Sequence, residues 1–416
     1  MLNRSTVRFA LAAFLLGMIC IHAVLFWVVR QHVVTGSSDF RIFYTAGLMV
    51  RRGEGRVLYN EELQEKFQRE FALPAVNRGG PLPYNHPPFE ALLYVPFTYL
   101  PYFSAYCLWF VVNLLVIGGS IYLVRGRLRT LTRDFRSFVI FAPLAFFPIV
   151  YALLQGQDSI LLLGSYFLVY SALLRKKDVQ AGACLGLGLF KFHLVLPFAC
   201  MLLLRRRWRV LAGFLVVAVV EGLVSLVMVG GRELLFYPRF AWQINRQQAP
   251  GVIVPANMGN LRGLFTGWRG MNPAPYSVEI ALVIASIILM VWASRQWRPE
   301  LVDAQNWDGG FSVCLIVTYL VGYHGYNQDM SFLLLPLLLA MDRMLAAWEK
   351  TGAGMKCLLG LMFFSPLYLL LTLQLSHQNL FSIVLLCLAG YLARAATARP
   401  QALANRNRQL LSVLPL

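Results

Sequence analysis

Apolar residues along this chain fall in unbroken runs, at 9–29, 103–124, 137–154, 159–174, 210–229, 277–294, 310–323, 330–347, 355–373 and 380–395. A helix needs about 20 consecutive apolar residues to cross a bilayer, and continuous rather than alternating runs exclude membrane strands. The pattern predicts an all-α polytopic membrane protein, organised as one integral membrane domain over 1–416. Two shorter pieces, 181–190 and 194–204, predict a tight helical hairpin with Lys191 at its tip. The segment 89–100 is too short to span and predicts a re-entrant or interfacial helix. The first run is long for a signal peptide and has no small-residue cleavage site, so a retained anchor is expected.

The polar links between the runs differ in charge. Basic clusters occupy Arg125 to Arg136, Arg175 to Lys177, Arg205 to Arg209, Arg295 with Arg298, Arg343 with Lys350 and Lys356, and Arg394 with Arg399. Placing all of them in the cytoplasm, as the positive-inside rule requires, needs the 181–204 hairpin to cross twice. The result is about twelve crossings with both termini cytoplasmic. The remaining links then share the external face of the cell (inner) membrane: 30–88, 155–158, 190–193, 230–276, 323–329 and 376–379. Five of the six histidines, His32, His86, His193, His324 and His377, fall on that face, and polar chemistry gathered on one side of a membrane marks a functional site.

The first external loop, 30–88, carries its own pattern. Ser37, Ser38 and Asp39 are N-cap residues, followed by Phe40, Phe43, Tyr44 and Leu48 at helical spacing. An amphipathic helix lying along the membrane surface is expected there. Asn60 before Glu61 and Glu62 predicts a second helix ending near Phe71, and the prolines from Pro81 to Pro88 forbid regular structure beyond it. The second long loop, 230–276, is net basic, which suits an anionic partner such as a lipid phosphate.

Composition agrees. The chain is 58% hydrophobic and 13% charged, against ~25% charged in a soluble domain. The net charge of +18 is accounted for by the basic links, so no nucleic-acid partner is expected. The seven cysteines lie within apolar runs without paired spacing and read as small buried hydrophobes. His86, His193, His324, Asp39 and Asp158 share a face, which leaves a divalent metal open as the alternative, but no two have a ligand spacing such as H-x-x-H; a metal is not favoured and no other cofactor is expected. From the residues alone, Asp39 is either a helix cap or a general base, and Glu221 is a costly acid within a span.

Six segments in order carry a resemblance. They are S-S-D-F-R-I-F-Y-T-A-G-L-M-V-R-R-G-E-G-R-V-L-Y-N at 37–60, Y-N-H-P-P-F-E-A-L-L-Y-V-P-F-T-Y-L-P-Y-F-S-A-Y-C-L-W at 84–109, G-Q-D-S-I-L-L-L-G at 156–164, A-G-A-C-L-G-L-G-L-F-K-F-H-L-V-L-P at 181–197, N-M-G-N-L-R-G-L at 257–264 and Y-N-Q-D-M-S-F-L-L-L-P at 326–336. Together they resemble glycosyltransferase family 87, polyprenyl-phosphate-sugar-dependent enzymes of the GT-C superfamily. Phe192-His193 departs from the family pattern, where a proline usually follows the lysine.

The resemblance implies a GT-C-type fold and an inverting transfer of a sugar, mannose or another hexose or pentose. The donor would be a polyprenyl-phosphate-linked sugar and the acceptor a lipid or glycan on the external face. It implies Asp39 as general base. Lys191, Arg262 and His324 become candidates for the donor phosphate. Arg41, Tyr44, His86, Asp158, Asn260 and Asp329 become candidates for the substrates, with Tyr84, Tyr323, Tyr326 and Trp268 as sugar-stacking aromatics. The competing reading is a transporter or flippase for a lipid-linked sugar, whose signature of internal repeats the sequence lacks.

Overall fold

The computed structural model describes residues 4–72, 82–246, 254–267, 270, 274–299 and 306–394. Trp268 lies outside them. Among the described residues the chain is helical without strands. Four helices are long and apolar enough to cross a membrane unaided: Ser5–Val34, Tyr102–Val124, Trp208–Ile244 and Tyr276–Gln296. Three bent pairs raise that number to at most seven, and Ser159–Leu174, Trp307–Val321 and Gln378–Arg394 are shorter apolar helices. Length and composition alone therefore reach fewer spans than the twelve expected.

Proline explains two of the bends. The run expected at 137–154 is broken into Arg136–Ala145 and Phe147–Gln155, set at 49°. Phe146 between them is extended (φ −90°, ψ 104°), and Pro148 opens the second piece. The run at 355–373 breaks likewise at Phe364, before Ser365-Pro366. Proline has no N–H for the preceding turn and clashes with its carbonyl, so each helix must restart. The segment 89–100 is three short turns, Pro88–Glu90, Ala91–Tyr94 and Val95–Tyr99, and does not span.

The expected hairpin is a splayed V. Asp178–Gly186 and Leu189–Leu204 are set at 60°. The first arm packs on Trp208–Arg246, the second on Tyr276–Gln296 and Trp307–Val321. Ser165 Oγ donates to the Cys184 carbonyl at 2.6 Å and Tyr166 Oη to the Leu194 carbonyl at 2.6 Å, so both arms flank the helix Ser159–Leu174. The feet of the V are joined by Arg207 and Asp178 at 2.9 Å. Both basic links beside it therefore lie at one end of the bundle, with the tip at the other.

Gly182 makes this packing possible. A Cβ there would sit 1.8 Å from the Val210 carbonyl oxygen and 2.7 Å from the Phe214 nitrogen. Backbone cannot yield as a side chain does, so Gly182→Ala is expected to destabilise the fold by about 1–3 kcal/mol or more. Gly118, which has nothing within 4 Å, supplies the control: Gly118→Ala is expected to melt at or above wild type. A thermal melt of the two variants in detergent checks the contrast.

The bundle has a second core at its polar end. Phe40, Phe43, Tyr44, Tyr59, Tyr84 and Tyr94 pack with Trp109 and with Phe240 and Ile244. The helix Phe40–Arg51 is buried along most of its length, and Gly47 lies against the Tyr94 backbone. It is thus the hub of this core rather than a surface-lying helix, because 54–71 and 88–99 cover the face that the sequence pattern left open. Asn60 caps Glu61–Arg69 as expected, accepting from the Leu63 N–H at 2.9 Å. The helix that opens at Trp208 stops at Val229 as expected, since Gly230 is non-helical (φ 81°, ψ 164°), and a second helix follows after this kink and runs to Arg246. The second long loop therefore begins as a helix, and its Phe240 and Ile244 close the aromatic core.

Candidate active site

Asp39 occupies the cap position of Phe40–Arg51 but does not cap it. Its backbone is already helical (φ −62°, ψ −20°) and its side chain makes no hydrogen bond to the first turn. The carboxylate turns instead toward the link 155–158, where Gln157 Nε2 donates to Asp39 Oδ2 at 2.7 Å. The Asp39 N–H reaches Gln155 Oε1 at 3.4 Å. This approach depends on Gly156, in the left-handed region (φ 65°), where a Cβ would lie 2.7 Å from Phe40 Cβ. Burial raises the Asp39 pKa above the ordinary aspartate value, against the opposing pull of Gln157, Arg41, Lys191 and His86. Gln157 was not among the expected site residues; its only signal was membership of the Gly-Gln-Asp turn.

A charged cluster lies beside Asp39. Lys191, at the tip of the V, meets Asp158 Oδ1 at 2.9 Å and donates to Asp329 Oδ1 at 2.8 Å. Ser159 Oγ donates to the same Asp329 oxygen at 3.1 Å, and Asp329 Oδ2 accepts the Tyr326 N–H at 3.1 Å. Asp158 stands at the cap position of Ser159–Leu174, yet its side chain makes no cap hydrogen bond. Its Oδ2 lies 3.6 Å from His86 Nδ1, which is 2.8 Å from Glu90 Oε2. Glu90 is 2% exposed and was missed in the sequence, although the i, i+4 spacing from His86 was its signal.

The buried acids of this cluster do not titrate alike. Burial, reinforced by Asp158, pushes the Glu90 carboxyl well above the usual range. Burial acts upward on Asp158 too, but Lys191 and His86 outweigh it and hold that carboxyl low. Burial lowers His86 to about 4 despite the pull of Asp158, so its imidazole is neutral at pH 7.

A basic, aromatic group completes the polar end. Arg262 sits in Leu261–Thr266 with its guanidinium 4.2 Å over the Tyr323 ring, and Trp242 stacks on Tyr323. His193 and His324 lie ring to ring at 5.6 Å. Arg262 Nη1, His193 Nε2 and His324 Nε2 are all buried without a hydrogen-bond partner among the described residues. Burial, with His193 and Arg262 adding, holds the His324 imidazole well below its ordinary pKa and neutral.

Three expected residues are hydrogen-bonded within the fold. Asn260 accepts from the Gly263 N–H at 2.9 Å and donates to the Gly322 carbonyl at 2.6 Å, so both ends of its amide are engaged. Tyr44 donates to the Leu100 carbonyl at 2.8 Å inside the aromatic core. Tyr84, fully buried, donates to the Pro87 carbonyl. Arg41 is 4% exposed and lies within electrostatic reach of Asp39 and Tyr102. Glu221 Oε2 has no hydrogen-bond partner among the described residues.

Fold and site together define a helical membrane protein with a cluster of buried charged side chains at one end of its bundle. The family model of glycosyltransferase family 87 matches residues 84–321, more than half of the chain, and the chain belongs to that family. It is accordingly a membrane glycosyltransferase. The matched segment holds His86, Glu90, Asp158, Lys191 and Arg262, while Asp39 precedes it and His324 and Asp329 follow it. No curated protein and no solved structure matches the chain.

Proposed function

We propose that this glycosyltransferase moves a sugar from a polyprenyl-phosphate donor to a lipid or glycan acceptor on the external face of the cell membrane, with inversion and with Asp39 as general base. The observation that carries the reading is the Asp39 carboxylate, half-buried, raised in pKa and aimed by Gln157 through one oxygen at 2.7 Å. The other oxygen remains for an acceptor hydroxyl. A carboxylate of raised pKa is a stronger base: it takes the acceptor hydroxyl proton as that oxygen bonds to the anomeric carbon opposite the departing phosphate, which inverts the centre.

The leaving phosphate is best served by Arg262 with His193 and His324, whose unpartnered nitrogens are buried together. Donors fixed in a dry site stabilise charge as it develops. Lys191, expected in this role, already faces two carboxylates, and its charge is spent on them. A lipid substrate is supported by a groove of about 280 Å³ lined by Leu25, Val29, Leu369 and Leu373, whose polar end is formed by Ser38 and Gln155 beside Asp39. The external placement is supported by the ion pairs of the basic links, such as Arg207–Asp178 and Arg127–Asp308, which involve links opposite in charge pattern to those of the site.

Purified protein in liposomes is expected to use a synthetic polyprenyl-phosphate sugar, and Arg262→Gln is expected to lower kcat about 10²-fold, as for loss of one charge-stabilising donor. Equal use of a nucleotide sugar, or full activity in Arg262→Gln, would overturn the donor assignment.

A further inference from the structure

We propose that His86, Glu90 and Asp158 form a binding site for one divalent cation that takes mixed nitrogen and oxygen ligands, of the Mn²⁺ or Zn²⁺ type. Their ligand atoms all lie within 4.8 Å of one another. His86 Nδ1 stands 2.8 Å from Glu90 Oε2 and 3.6 Å from Asp158 Oδ2. Neighbouring ligands of an ion bound at about 2.0–2.2 Å are separated by roughly 3–3.5 Å, so the three side chains need little adjustment to share one.

Two further observations point to a cation. Glu90 Oε1 and Asp158 Oδ2 are buried without a hydrogen bond, while Glu90 Oε2 faces His86 Nδ1 at 2.8 Å and Asp158 Oδ1 faces Lys191 at 2.9 Å; Glu90 is 2% exposed and Asp158 fully buried. Buried acids in such a position require a cationic partner. Charge is also out of balance: the carboxylates of Asp39, Glu90, Asp158 and Asp329 face Lys191 and Arg41 within one electrostatic neighbourhood. The acids outnumber the cations four to two, and a divalent ion seated between Glu90 and Asp158 offsets that excess.

Lys191 does not occupy the proposed seat. It contacts Asp158 through Oδ1 and Asp329 through Oδ1, leaving Asp158 Oδ2 on the side of His86 and Glu90. His86 is held through its backbone, whose carbonyl accepts from Tyr59 Oη at 2.8 Å. Three protein ligands leave coordination positions open to an oxygen ligand from outside. A site of nitrogen and carboxylate ligands disfavours Mg²⁺ and admits Mn²⁺ or Zn²⁺.

The test uses full-length protein in detergent, stripped with chelator and titrated with Mn²⁺ alone, with bound ion read by electron paramagnetic resonance. One Mn²⁺ per chain is expected, with a nitrogen coupling from His86. Glu90→Gln and His86→Ala are each expected to weaken binding at least tenfold, while Asp308→Asn, at the opposite end of the bundle, leaves it unchanged. No Mn²⁺ uptake by the wild type at millimolar concentration overturns the proposal; so does wild-type binding in both His86→Ala and Glu90→Gln. The wild-type measurement stands even if a variant fails to fold. Because the readout is bound ion rather than sugar transfer, its failure is separate from failure of the proposed activity.

Discussion

Asp39→Asn is expected to lower sugar transfer by about 10²–10⁴-fold, the usual contribution of a general base, with unchanged yield and melting temperature. Asparagine keeps the shape of the side chain and an oxygen to accept from Gln157, which holds Asp39 Oδ2 at 2.7 Å. Since the side chain makes no cap hydrogen bond, the substitution removes no helix cap, and stability and activity separate cleanly. The wild-type pH profile carries a second sign. Burial raises the Asp39 pKa, so the base form is present above that value and is lost as pH falls through it. The acid limb of kcat/KM is expected above the ordinary aspartate range, and Asp39→Asn abolishes it. Wild-type turnover in Asp39→Asn would remove the carboxylate from the mechanism.

Lys191→Met has the largest expected effect on stability. Lysine here holds Asp158 and Asp329 at 2.9 and 2.8 Å, and both acids are buried. Removing it leaves two carboxylates unpaired away from water, and breaking a buried ion pair from one side costs about 3–5 kcal/mol. A second substitution, Asp158→Asn, is expected to recover part of the loss, because it removes one of the stranded charges. A solvated phosphate-binding lysine behaves differently: its loss lowers transfer and leaves the melt unchanged. The thermal melt of Lys191→Met and of the double variant decides between the two.

Much of the molecule was legible along the chain because span length and link charge are local properties. The helices Tyr102–Val124 and Ser159–Leu174 stand where their apolar runs predicted. The Asn60 cap, the non-spanning segment after Pro88 and the tip position of Lys191 also follow from spacing. Proline breaks were visible as residues but not as angles, since a proline in an apolar run gives no direction to the bend. The cap and base readings of Asp39 could not be separated in the sequence, as the same residue at the same position suits both.

The sequence by itself determined that this is a helical membrane protein, that its polar links gather at one end, and that Asp39, His86, Asp158, Lys191, Arg262, His324 and Asp329 belong to those links. Periodicity, hydropathy and charge act residue by residue and need no partner. Tertiary structure alone decided what each polar group faces. It turned Asp39 from its own helix to Gln157, gave Lys191 to two acids, brought His86 and Glu90 beside Asp158, and engaged Asn260 and Tyr44 in hydrogen bonds within the fold. The physical reason is that a buried polar atom must find its partner across the fold, between residues as distant in sequence as Asp39 and Gln157, and no local pattern records that pairing.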